Sequence, residues 1–253
     1  MKEKIQESLA ALEETHGCRI LFAVESGSRA WGFASPDSDY DVRALYVKPI
    51  DWYLGLGEKP RDTFSAMLPD DIDISAWELR KALRQMLKSN ASFMEWLGSP
   101  IVYCDSGLLA KLNELKDCVF NPVAVAFHYA SMLRHALDDH SADGSIGVKK
   151  LCYALRAGLC VRWTMEHETM PPTAFADVRR GVALSDEADF AIDRLLELKA
   201  SACEKDRIVP DSALVPLVED CFGQLGEHPW RRAANDIPSA RSELETIFRS
   251  QFS

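Results

Sequence analysis

The chain has 253 residues, of which 47% are hydrophobic and 27% charged, and its formal net charge is −10. That length can bury the core of one large or two modest domains, and the composition is ordinary for a globular protein. The acidic balance excludes a broad basic face of the kind that wraps duplex nucleic acid, leaving only local basic patches, and no apolar run approaches the ~20 residues of a spanning helix.

The first element is a helix over residues 3–16, with Ile5, Leu9 and Leu12 at helical spacing and His16-Gly17 at its end. The start, Met1-Lys2-Glu3-Lys4-Ile5-Gln6-Glu7, lacks the apolar stretch of a signal peptide, so a cytoplasmic location and no membrane partner are expected. An apolar run from Ile20 to Val24 reads as a buried strand and breaks at Gly27-Ser28, where a glycine lets the backbone approach a ligand closely. A polar turn with Pro36 leads into a second strand, Asp41 to Val47. Alternation places Asp39 and Asp41 on one face. Two carboxylates held close repel unless a positive charge joins them, and one or two divalent metals are the usual solution. Arg43 shares that face and either pairs with an acid or reaches a phosphate.

Residues 49–68 read as a turn-rich connection with one helical turn around Trp52 and breaks at Gly55, Gly57 and Pro60. This is no phosphate-binding glycine loop, since no strand leads directly into it. The run Asp70-Asp71-Ile72-Asp73-Ile74-Ser75 then alternates acid and isoleucine. Asp70 and Asp71 belong to the loop, while Ile72 and Ile74 bury one face and turn Asp73 to the other. A helix is expected from Ala76 to about Ser89, with Ser75 as its N-cap and Glu78 completing a capping box. Three acids beside a Gly-Ser turn suit nucleotidyl transfer, with Asp39, Asp41 and Asp73 as catalytic metal ligands and the turn receiving phosphate oxygens.

The wording Gly27-Ser28-Arg29-Ala30-Trp31-Gly32, then Ser35-Pro36-Asp37-Ser38-Asp39-Tyr40-Asp41-Val42-Arg43 and the later Asp73, resembles the nucleotidyltransferase superfamily of DNA polymerase beta. Within it, the chain is similar to the predicted bacterial nucleotidyltransferases associated with RNA-repair operons. Trp77 to Lys81, Lys88-Ser89-Asn90, Glu95-Trp96-Leu97 and Ser99 to Tyr103 share that resemblance, which runs from about Ile20 to Trp163. The resemblance implies a short helix leading off the turn, with Arg29 near its start and phosphate at its N-terminus. Arg29 then either contacts the triphosphate or pairs with Asp37 or Asp39. The implied reaction moves a nucleoside monophosphate from a nucleoside triphosphate to an acceptor hydroxyl and releases pyrophosphate, with magnesium or manganese as cofactor.

Beyond Ser89 the pattern continues with a helix over Ala91–Leu97, a strand over Pro100–Cys104 and a helix over Leu108–Leu115. From Asn121-Pro122 onward nearly everything reads as helix: Val123–Asp138, a long helix from Val148, then Asp186–Ala200, Ser212–Phe222 and Ser239–Phe252. On the helix from Val148, Leu151, Leu155 and Leu159 supply a buried face, while Lys149, Tyr153 and Arg156 share a stripe. That stripe is either a nucleotide contact, as the resemblance implies, or a solvated face. His128 reads as a packing residue. The cysteines at 18, 104, 118, 152, 160, 203 and 221 form no Cys-x-x-Cys pair and read as free thiols.

The expected architecture is α/β (α+β). A small mixed-sheet nucleotidyltransferase domain with flanking helices spans residues 1–120, and a helical domain closing over the nucleotide spans 121–253. The acceptor stays open between an RNA end, a protein and a small molecule. A nucleotide-binding regulator without turnover is the competing class of function.

Overall fold

In the computed structural model, which describes residues 1–56, 61–139, 141, 143–201, 205–230 and 237–252, the acids sit on a five-stranded sheet. Helix α1 (Lys2–His16) leads into β1 (Arg19–Glu25), the short α2 (Gly27–Trp31) and β2 (Tyr40–Val47). There follow α3 (Ile50–Leu54), β3 (Thr63–Leu68), β4 (Ile72–Glu78), α4 (Leu79–Met86), α5 (Ala91–Leu97), β5 (Val102–Asp105) and α6 (Leu108–Val119). The sheet order is β3-β4-β2-β1-β5. Among the described residues only β2 and β4 run parallel, so the sheet is mixed, as expected.

Alternation decides which face each strand buries. On β4, Ile72, Ile74 and Ala76 are fully buried and pack with Val42, Ala44 and Tyr46 of β2 against Ile5 and Leu9 of α1. The opposite face carries Asp73, Ser75 and Trp77, opposite Asp41, Arg43 and Leu45 in register. α1 covers the apolar face, whereas α4 follows β4 directly and buries Leu79, Ala82, Leu83 and Met86.

The structure corrects several boundaries. Thr63–Leu68, expected as part of a loop, is an edge strand paired antiparallel with β4. Ser75 lies inside β4 and is no helix cap. The cap of α4 is Glu78, whose carboxylate accepts from the backbone N–H groups of Arg80 at 2.7 Å and Lys81 at 3.0 Å. Ladder pairing of Leu45 with Trp77 and Tyr46 with Glu78 carries the strand past the expected helix start. Gly57 and Pro60, read as breaks, and Cys203, read as a free thiol, lie outside the described residues. Among the described residues, the other six cysteines form no disulfide.

Packing divides the chain into two units. The sheet unit takes Met1–Ala30, Asp39–Val119 and the last helix, α12. The helical unit takes Trp31–Ser38 and the chain from Phe120 through α7 (Pro122–Leu137), β6 (Ile146–Gly147), α8 (Val148–His167), α9 (Phe175–Arg180), α10 (Asp186–Ser201), β7 (Arg207–Ile208) and α11 (Val215–Glu227). α12 spans Ile237–Arg249. Residues 31–38 and α12 therefore pack across the division at 120/121 drawn from the sequence, because side-chain contacts and not chain order define a unit. Leu151, Leu155 and Leu159 of α8 are buried as expected. α11 crosses α8 at Gly158, where a Cβ would stand 2.6 Å from the Leu217 carbonyl oxygen. Among the described residues, no helix is long and apolar enough to cross a membrane.

Candidate active site

The parallel pairing of β2 and β4 sets Asp41 directly opposite Asp73. Both strands project these carboxylates from the face away from α1, and both remain partly exposed, at 26% and 30% of their side chains. Arg43, one register step along on the same face, bridges them. Its guanidinium donates to Asp41 Oδ1 at 2.8 Å and to Asp73 Oδ2 at 2.9 Å. Like charges facing each other across a ladder would repel, and the guanidinium supplies the positive charge that holds them together.

Gly27 closes one side. Its backbone has φ +59°, and a Cβ there would lie 2.1 Å from Asp41 Oδ2. Only a glycine lets the turn and the carboxylate occupy adjacent space. The turn is tied down further by Ser26 N–H, which donates to the Asp41 carbonyl at 2.8 Å. Glu25, fully buried at the end of β1, accepts from the Asp41 N–H at 2.7 Å and from the Tyr103 hydroxyl. Burial pushes the Glu25 carboxyl above its ordinary value of 4.5, and those hydrogen bonds offset the rise only in part. Sequence reading missed Glu25. Its one signal is an acid at the end of an otherwise apolar strand, immediately before the Gly-Ser turn.

The remaining expected site residues are placed as follows. Asp39 is exposed, just ahead of β2. Ser28 is buried, and α2 begins at Gly27 itself. Arg29 donates through Nε to the Asp39 backbone carbonyl at 3.1 Å, and its guanidinium lies 3.8 Å from the centre of the Tyr40 ring. Among the described residues, no group of three His, Cys, Asp or Glu side chains forms a ready-made metal site.

Lys149, Tyr153 and Arg156 belong to the helical unit. Tyr153 is half-buried and meets the Trp31 ring edge-on at 5.0 Å. Arg156 is 1% exposed, stacked 4.3 Å from the Trp31 ring centre and donating to the Thr173 carbonyl at 3.2 Å. Lys149 is half-buried. A second residue the sequence did not single out is Lys199, buried in α10, whose ammonium donates to the Ser35 hydroxyl. The Asp37 carboxyl nearby is held below its ordinary range, first by the Ser35 hydroxyl and its own backbone, with lesser help from the Lys199 and Lys149 charges.

The RNA repair pathway DNA polymerase beta family matches residues 1–250 of the chain. An uncharacterized protein of Bacillus subtilis (strain 168), YcgL, is 41% identical over 207 residues, which is 81% of this chain and 79% of that one. A nucleotidyltransferase-like protein from Exiguobacterium sibiricum 255-15 is similar in structure over 97% of this chain and 89% of its own, at 13% identity and a TM-score of 0.33.

Proposed function

The chain belongs to the RNA repair pathway DNA polymerase beta family, and from that premise we propose that it transfers a nucleoside monophosphate from a nucleoside triphosphate to an acceptor hydroxyl. The observation that carries this reading is the juxtaposition of Asp41 and Asp73, facing each other in register with Gly27 against Asp41. The family's description favours an RNA end as the acceptor.

The residues fit a divalent cation. Two hard oxygen donors, Asp41 Oδ1 and Asp73 Oδ2, already bracket one positive charge within hydrogen-bonding distance. Asp41 and Asp73, with Asp39 at the head of the same strand, would hold magnesium or manganese, which when bound supplies Lewis-acid polarisation of phosphate oxygens. The chain's own groups do the rest. The backbone of Gly27 and Ser28 takes phosphate oxygens of the nucleotide, and Arg29 adds charge beside them. Asp73 accepts the proton of the acceptor hydroxyl as its oxygen bonds to the α-phosphorus. The bond from that phosphorus to pyrophosphate breaks in line. Arg43 keeps the two carboxylates at working separation, so that little reorganisation is needed when substrate arrives.

Pyrophosphate release and label transfer from α-labelled nucleoside triphosphates, with magnesium or manganese, test the reading. Asp41→Asn is expected to abolish release while melting as a folded protein. Turnover in that variant overturns the assignment of the acids. A second reading, a nucleotide-binding regulator without turnover, is favoured by Arg43, which neutralises the same two carboxylates from within. Nucleotide binding with no pyrophosphate release on RNA, protein or small-molecule acceptors would select it.

A further inference from the structure

We propose that the groove between α4 and α12 is a docking site for the phosphate backbone of a single-stranded RNA acceptor, an inference that rests on the transferase reading above. The groove encloses about 340 Å³ and is lined by Arg80 and Arg84 of α4 and by Arg241 and Arg249 of α12. One carboxylate, Glu245, shares the lining, and it lies 3.9 Å from Arg249 one helical turn away. Among the described residues, neither Arg84 nor Arg241 has an ion-pair partner. On a chain of net charge −10, four guanidiniums facing one cavity are a local reversal of sign.

The chemistry of the lining selects the occupant. All four cations are arginines, whose planar forks match phosphate oxygens in pairs where a lysine offers a point charge. The floor between them is apolar: Leu83 and Leu244 are 6% and 2% exposed, and Phe248 continues into a ring cluster with Tyr53 and Phe252 at 5.3 and 5.2 Å. Arg80 itself lies over the Tyr53 ring at 5.0 Å. A cationic groove with aromatic surface is the combination that binds single-stranded nucleic acid, the cations following the backbone and the rings meeting bases or sugars. An acidic peptide would use the charges and leave the rings idle.

The location defines the role. α4 follows β4 directly, so the groove starts roughly 20 Å from Asp73 at ~3.3 Å per strand residue. It therefore grips the body of a strand and not its reacting end.

Fluorescence anisotropy of a labelled single-stranded RNA oligonucleotide, without nucleotide or metal, tests this. Wild-type binding is expected to weaken from ~50 to ~200 mM salt, with a log–log slope of about −0.7 for each phosphate engaged. The double charge reversal Arg84→Glu/Arg241→Glu is expected to lose at least about tenfold in affinity and to flatten the slope by about 1–2. Arg84→Lys/Arg241→Lys, which keeps the charge and loses the forks, should fall between. Wild-type affinity and slope in the reversed variant overturn the proposal, as does displacement by polyglutamate as effective as by unlabelled RNA. The two readings fail separately. RNA binding through the groove with no pyrophosphate release removes the transferase and leaves the groove. Pyrophosphate release with RNA binding indifferent to the reversals removes the groove and leaves the transferase.

Discussion

Gly27 and Glu25 hold Asp41 from two sides, and they differ in how far the sequence announces them. Gly27 is readable because its requirement is local: a chain that reverses after a buried strand and meets a carboxylate has no space for a Cβ. Arg43 is half readable, since alternation puts it on the acids' face without choosing between an ion pair and a phosphate. Glu25 is not readable, because the hydroxyl that satisfies it belongs to Tyr103, 78 residues away. Its buried carboxyl makes a pH prediction. In the unfolded chain it releases its proton near 4.5, whereas burial delays that release in the folded protein. Above that pH the unfolded state holds fewer protons than the folded one, so this group's contribution to stability is lost as pH rises through the folded value. Glu25→Gln, which still accepts from Asp41 N–H, should remove that decline. Denaturant melts of both proteins across this range check it, and parallel curves would show that Glu25 does not titrate as described.

Among the elements, β1, β2 and the long helices were readable from periodicity, because each buries a continuous face of its own. β3 was not. Its outward residues Ser65 and Met67 are exposed and its inner ones only half-buried, so the ladder to β4 and not burial stabilises it. The overlooked signal is the pair Asp70-Asp71, which turns the β3–β4 hairpin with φ of 65° and 54°, a backbone that aspartate tolerates better than most residues. The end of β4 was misjudged for a related reason. Trp77 to Arg80 has a helical look, but strands on both sides hold Trp77 extended and shift the capping task from Ser75 to Glu78. Glu78 also accepts from the Tyr53 hydroxyl at 2.6 Å. Glu78→Ala should therefore cost about 2–4 kcal/mol, combining a lost cap with an unsatisfied hydroxyl. Glu78→Gln should recover most of it. Thermal melts distinguish the two, and equal melting of Ala and Gln variants would mean that the carboxylate is not the cap.

Across the whole molecule, the chain leaves the sheet unit after Ala30 and re-enters it at Asp39, so the segment joining the Gly-Ser turn to the aspartate strand packs with the helical unit. Three anchors hold it there: Trp31 against Tyr153 and Arg156, Phe33 edge-on to Phe175 at 5.6 Å, and Ser35 under the Lys199 ammonium. The sequence shows a polar turn around Pro36 and no more, because the partners of these three anchors lie more than 100 residues downstream, beyond any periodicity. Asp39, one of the acids proposed for the site, directly follows this segment, and we propose that the anchors of residues 31–38 help to set its position. Lys199→Met tests the coupling. Methionine fills much of the volume of the lysine stem without the charge, so α10 should remain packed and global melting should change little. The Ser35 anchor is lost, and amide hydrogen exchange over residues 33–38 is expected to accelerate while β1, β2 and β4 keep wild-type protection. Pyrophosphate release should fall along with it, through kcat more than through nucleotide KM, because Asp41, Asp73 and the Gly27 turn are untouched. Faster exchange at 33–38 with unchanged kcat would mean that the segment is only a tether. Unchanged exchange would mean that the two aromatic anchors hold it without the lysine.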